Sequence, residues 1–198
     1  MSGEHIGAAA TLAARVRHLE GLLEQRGLVD SRELDRALEA LLARASPANG
    51  ARLVARAWLD ERFRARLLAD ANAALPELGL SMAGGLQEQR LKVVENTEEQ
   101  HNVIVCTLCS CYPIALLGPS PTWYKSQVYR SRVVRDPRAV LDEFGYVLDP
   151  AVGINVWDAS AESRYMVLPR RPVGTEDLDE QALAARVTRN GLIGVAPV

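Results

Sequence analysis

The three cysteines of this chain all fall within Cys106-Thr107-Leu108-Cys109-Ser110-Cys111, and the other positions of its 198 residues hold none. That clustering constrains the fold more than any other feature. With no distant cysteine to pair, no disulfide framework can staple the chain, so its stability must come from a packed core. All sulfur chemistry is confined to one loop, and the remaining residues are what position it. The C-x2-C-x-C spacing narrows that chemistry. A structural zinc knuckle or a cubane cluster normally takes four protein ligands, and tetrahedral thiolate sites are built from two separated pairs. Here the fourth ligand is missing.

Cys109 and Cys111, one residue apart, suit a tight chelate. If the amides of Ser110 and Cys111 lose their protons, each nitrogen closes a small ring with a neighbouring thiolate, and Cys106 reaches in as an axial ligand. Such a sulfur and nitrogen donor set is anionic and rigid, so it favours a small trivalent ion over zinc, which has no electronic preference for geometry. One vacant or water-occupied position remains, as a Lewis-acid catalyst requires. On spacing alone other readings stay open: a redox pair at Cys106 and Cys109, a zinc or cluster site completed by another subunit, and incidental buried thiols. The third thiol counts against the redox pair, which has no need of it.

Charge excludes several function classes. Basic and acidic side chains number 23 and 25, well mixed, for a net charge of −2, so neither a nucleic acid nor an acidic membrane surface is an implied partner. No apolar run approaches the roughly 20 residues that cross a bilayer, and no leader pattern opens the chain, so a cytoplasmic protein is expected.

Helical grammar dominates the first half. Leu12, Val16, Leu19, Leu22 and Leu23 form one stripe over residues 5–27, stopped at Gly27. Asp30 with Glu33 reads as a capping box before a second stripe, Leu34, Leu38, Leu41 and Leu42. These are either ordinary packed helices or an arm that packs on another chain. After the break at Ser46-Pro47 come further short helices, the last bent by Pro76 and ended by Gly79. Beyond Gly84-Gly85 the pattern turns extended, with strands expected at 91–94, 103–105, 154–157 and 165–168. The second leads straight into the cysteines, which places them at a strand end. A helix is expected over 124–134, a clearer one from Pro137, and a capping box at Asp177 and Glu180 before a last short helix.

Val105 to Pro113 resembles the metal-binding claw of the nitrile hydratase alpha subunit. The resemblance continues through Trp123-Tyr124-Lys125, Arg135-Asp136-Pro137-Arg138, Trp157-Asp158, Arg164-Tyr165 and Ile193-Gly194-Val195-Ala196, covering roughly residue 49 to the C-terminus. Thr107 after the first cysteine and Tyr112 after the third are similar to the cobalt branch rather than the iron branch.

That resemblance implies an α+β subunit: an N-terminal helical arm, 1–48, that embraces a partner, then a β-containing layered domain, 49–198, carrying the claw. It implies hydration of a nitrile to the amide with one Co(III) per chain, Fe(III) being the less favoured ion. Cys106, Cys109, Ser110 and Cys111 would hold the metal, with Cys109 oxidised to sulfinate and Cys111 to sulfenate. Arginines from a beta-type subunit would face the oxidised sulfurs. Thr107, Asp158, Glu162 and Arg164 would support the claw, and Gln87 would line the pocket. Ile114-Ala115 stands where many relatives have tryptophan-proline, so a large ring is lost from the pocket wall. A bulky heteroaromatic or nucleoside nitrile is therefore the expected substrate. The alternatives are the cobalt subunit of a thiocyanate hydrolase and a metal-binding or metal-delivery protein without turnover.

Overall fold

The structure, a computed structural model, describes residues 2–82, 89–109 and 111–198. Gln87 and Ser110 lie outside the described residues. The chain divides into two compact units, Met1–Ala43 and Arg44–Val198.

The first unit holds helix α1, Ser2–Gln25, and most of α2, Ser31–Arg44. Gly27 takes the left-handed conformation, φ 67°, that turns the chain between them. Asp30 Oδ1 then accepts from the Arg32 and Glu33 amides at 2.9 and 3.2 Å, the cap expected from the sequence. The apolar stripes do not behave as those of ordinary packed helices. Leu12, Val16, Leu19, Leu34, Leu38 and Leu42 are exposed, and α2 buries no residue.

The second unit is built on α3, Pro47–Leu59. Ser46 caps it through its Oγ, and Pro47 occupies the first turn, where a missing N–H costs nothing. Leu53, Val54 and Ala55 are fully buried. Gly50 lets neighbouring elements come close, since a Cβ there would sit 2.7 Å from Leu192 Cδ1 and 3.0 Å from the Leu116 carbonyl. Helices α4, Glu61–Ala69, and α5, Ala71–Ala74, follow, each capped by an aspartate, and a 3-10 turn at Leu75–Leu78 ends at left-handed Gly79.

Four strands come next in the described residues: β1, Arg90–Glu95; β2, Gln100–Val105; β3, Gly153–Asp158; and β4, Ser163–Leu168. Each is longer than its apolar stretch in the sequence. They do not pair as hairpins. β1 pairs with β4 and β2 with β3, both in parallel, so each pair is joined through a long crossover. Short helices fill the crossover from β2: α6, Ile114–Leu117; a 3-10 turn at Thr122–Lys125; α7, Gln127–Val133; and α8, Pro137–Glu143. The helix expected over 124–134 is thus two pieces, because Ser126 takes an extended conformation and caps α7 by accepting from the Tyr129 amide. Helices α9, Glu180–Ala184, and α10, Arg189–Ile193, close the chain. Asp179 rather than Asp177 caps α9, accepting from the Ala182 amide at 2.8 Å, since it is the residue immediately before the first turn. The architecture is α+β.

A buried polar network fixes β2. The Asn102 amide donates to Asn96 Oδ1 at 2.8 Å, and its side chain donates to the Glu95 carbonyl at 2.7 Å and accepts from Trp157 Nε1 at 2.8 Å. His101 Nε2 donates to the Gly194 carbonyl at 2.7 Å, which assigns the neutral tautomer whose Nδ1 accepts from the Asn96 side-chain amide at 3.0 Å. Burial holds the His101 pKa below its ordinary value. His101 is therefore a structural histidine that ties β2 to the end of α10.

Candidate metal centre

Because β2 and β3 run parallel, their C-terminal ends lie side by side, with Val105 opposite Asp158. The cysteine loop leaves from that edge, the position where open parallel sheets place ligand sites. Cys106 is fully buried as the continuation of the strand, Cys109 is exposed and Cys111 is half-buried.

The loop brings the sulfurs together. Cys106 Sγ and Cys109 Sγ are 3.3 Å apart, Cys109 Sγ and Cys111 Sγ 3.1 Å, and all three lie within 4.8 Å of one another. The Cys109 amide donates to Cys106 Sγ at 3.3 Å, which curls the loop round its first sulfur. Thiolates at tetrahedral angles about 2.3 Å from zinc would stand roughly 3.8 Å apart, whereas right-angled donors at the same bond length stand roughly 3.3 Å apart. The two neighbouring spacings lie nearer the second value, and the cluster could hold a metal ion. Burial, followed by the hydrogen bond with Cys109, pushes the Cys111 pKa up to about 12, with Arg164 pulling the other way.

The loop is gripped from outside. Asp158, at the end of β3, accepts from the Thr107 amide at 2.9 Å and the Thr107 hydroxyl at 2.5 Å. Arg164, on β4, is buried, acts through its charge on Cys111 and donates through Nη1 to the Ser160 carbonyl. From the other side, Tyr124 Oη donates to the Cys111 carbonyl at 3.1 Å and Tyr129 Oη to the Ile104 carbonyl at 2.7 Å. Burial raises the pKa of both phenols, so they remain donors. Their rings, tilted against each other, belong to a cluster with Tyr112, Trp123 and Phe144 whose other contacts are edge-on, five of the ten aromatic residues in the chain. Such packing makes a stiff floor under the loop.

The expected residues thus separate. Asp158 holds the loop through Thr107, and Arg164 acts through its charge on Cys111. Glu162 sits exposed in the turn between β3 and β4, where its carbonyl accepts from the Arg90 amide and its N–H donates to Ser160 Oγ. Ile114 opens α6 and is 42% exposed directly after the loop. Leu108, at the tip, is 89% exposed, an apolar side chain with no neighbour over it among the described residues.

Sequence reasoning missed Tyr124, Tyr129 and Arg130 as supports. Arg130 Nη1 donates to the Cys109 carbonyl at 3.0 Å and lies 3.4 Å from that of Thr107. One signal pointed to it: an anionic loop with no basic residue of its own needs a cation from elsewhere.

Comparison with known proteins agrees with this geometry. The family model of the nitrile hydratase alpha chain matches residues 10–196. The low-molecular weight cobalt-containing nitrile hydratase subunit alpha of Rhodococcus rhodochrous is 51% identical over 185 residues, covering 93% of this chain and 88% of that protein. Thiocyanate hydrolase subunit gamma of Thiobacillus thioparus is 44% identical over 158 residues, 76% of this chain and 65% of that protein. A solved double mutant of the Fe-type nitrile hydratase from Comamonas testosteroni Ni1 superposes with a TM-score of 0.88 at 45% identity, covering 95% of this chain and 90% of that one. With its parallel-strand edge, its clustered thiols and its match over nearly the whole length, the chain belongs to the nitrile hydratase alpha-chain family.

Proposed function

We propose that this chain is the metal-holding subunit of a cobalt-dependent nitrile hydratase, converting R–C≡N and water to the amide. The observation that carries the reading is the sulfur cluster at the joined ends of β2 and β3, with neighbouring S···S spacings of 3.1–3.3 Å. Cys106, Cys109 and Cys111 would hold the ion through sulfur, with main-chain nitrogens of Ser110 and Cys111 completing the set. One Co(III) per chain is favoured, supported by Thr107 and Tyr112 and by the cobalt-containing relative. When bound, the metal supplies Lewis acidity toward a nitrile or a water molecule.

The chain's own residues shape what happens around it. Asp158 holds Thr107, and through it the first turn of the loop. Arg164 sets positive charge beside Cys111. Cys109 and Cys111, the two more accessible thiols, are the candidates for oxidation to sulfinate and sulfenate. The exposed Leu108 and Ile114 make an apolar mouth, which supports closure by a beta-type subunit whose arginines face the oxidised sulfurs. Closure excludes water and strengthens the electrostatics of the site. Ile114, smaller than an aromatic residue at the same position, widens the pocket toward bulky heteroaromatic nitriles, nucleoside nitriles included. Gln87 is retained as a pocket residue and Glu162 as a support of the claw. The division into an arm, 1–48, and a catalytic domain, 49–198, belongs to the same reading.

The test is co-expression with the beta-type partner in cobalt-, iron- and zinc-supplemented media, followed by metal analysis, peptide mass spectrometry and nitrile turnover. The reading expects one cobalt per chain, added oxygen on Cys109 and Cys111, and faster turnover of bulky aromatic nitriles than of acetonitrile. Zinc on unmodified thiols in the assembled complex would sink it. Thiocyanate turnover in place of nitrile turnover would assign the chain to the hydrolase branch, and cobalt without turnover of either would make it a metal carrier.

A further inference from the structure

A claw of thiolates and main-chain nitrogens concentrates negative charge, and residues 105–113 contain no lysine or arginine. The neutral supports of the loop, Tyr124 and Tyr129, give shape without charge. Arg164, on β4, acts through its charge on Cys111. The face toward α7 has its own cation. Arg130 rises from that helix and directs Nη1 at two carbonyl oxygens of the loop, Cys109 at 3.0 Å and Thr107 at 3.4 Å. Its Nε is buried without a hydrogen-bond partner among the described residues. Burying an unpaired guanidinium donor is unfavourable unless something nearby compensates for it. An anionic loop compensates.

The Cys109 carbonyl has a particular chemical significance. It belongs to the peptide whose nitrogen is that of Ser110, the central donor in the proposed set. Peptide resonance shares charge between that nitrogen and the carbonyl oxygen. A guanidinium on the oxygen therefore stabilises the nitrogen as a ligand without occupying a coordination position. The contact at Thr107 fixes the first turn of the same loop. Arginine suits this task better than lysine, because its planar fork can address two acceptors at fixed angles.

We infer that Arg130 is a positioning residue of the claw: held by α7, its guanidinium fixes the Thr107 and Cys109 carbonyls and balances the charge of the adjoining donors, and so sets how tightly the metal is kept. This inference rests on the metal-claw reading above. It concerns a residue of this chain, independent of any arginine that a partner contributes.

The experiment compares wild type, Arg130→Lys and Arg130→Gln in the cobalt-grown complex with its partner. Cobalt loss to excess chelator, the sulfur-to-cobalt charge-transfer absorption and the urea midpoint are measured on each. Arg130→Gln is expected to lose cobalt about 10-fold faster or more, with a displaced absorption band, and Arg130→Lys to fall between it and wild type. Variants that keep cobalt within about 2-fold of wild type with an unmoved band overturn the inference, even if their urea midpoint drops, since that marks a merely structural side chain. Arg130→Lys keeps the stem and the charge, so it decides the matter should Arg130→Gln fail to assemble. A wild-type complex that takes up neither cobalt nor iron overturns the claw reading itself, a result distinct from the variants matching a metal-loaded wild type.

Discussion

Asp158 shows how much one side chain can do at a strand end. Register places it opposite Val105, so its carboxylate meets Thr107 just after the first cysteine, with both oxygens engaged. Asp158→Ala removes both contacts and is expected to lower stability by about 1–2 kcal/mol, and Asp158→Asn by less, because its remaining oxygen still accepts from the Thr107 amide. Urea unfolding of the two variants, with cobalt content measured alongside, checks that order. His101 gives a pH prediction. Its folded pKa is depressed by burial, so the unfolded chain binds a proton first as pH falls. Its stabilising contribution is complete above the ordinary histidine pKa of about 6.5 and is lost as pH drops from there through the folded value, by up to about 1.4 kcal/mol per pH unit. The stability gap between wild type and His101→Gln should therefore narrow from pH 7.5 to pH 5 in urea titrations. A gap that widens on acidification would contradict the assigned neutral tautomer.

Two elements carry the claw from opposite sides. On one side α7 presents Tyr129 to the end of β2 and Arg130 to the loop, and its start depends on Ser126. Ser126→Ala is expected to cost about 1 kcal/mol of stability by calorimetry, the usual loss of an N-cap, and to speed cobalt loss, because the helix that aims Arg130 is loosened. On the other side the end of α10 packs against β2. Gly194 has φ 90°, and a Cβ there would fall 2.0 Å from the Asn102 carbonyl oxygen. Backbone strain and overlap act together at that point, so Gly194→Ala should destabilise by at least about 3 kcal/mol, read as a lost or strongly lowered thermal transition. Gly174, with nothing within 4 Å of an added Cβ, is the control: strain without overlap should cost Gly174→Ala distinctly less.

At the scale of the molecule, the two units differ in kind. Arg44–Val198 encloses a continuous apolar core that runs, among the described residues, from Ala51 to Val195, while Leu12, Val16, Leu19, Leu34, Leu38 and Leu42 of Met1–Ala43 are exposed. Deleting residues 1–43 should therefore leave a cooperative thermal transition within about 5 °C of the full chain, checked by circular dichroism. The same deletion should abolish co-purification with the beta-type partner if the arm is what embraces it. No helix among the described residues is long and apolar enough to cross a membrane.

The sequence by itself determined what is local. Three cysteines in one stretch, the capping serines and aspartates at Ser46, Asp60, Asp70 and Asp136, Pro47 and Pro137 in first turns and glycines at Gly27 and Gly79 name their own conformations, because each acts on its immediate backbone. The cysteine cluster and its exit from a strand were legible for that reason. Long-range choices were not. That β1 pairs with β4 and β2 with β3, in parallel, depends on which apolar faces meet after the chain has closed, and short apolar runs carry no record of their partners. Only that closure puts Asp158 against Thr107 across 51 residues and Arg130 against Cys109 across 21, so the cluster of thiols was readable from spacing while the groups that hold its loop were decided by the tertiary structure.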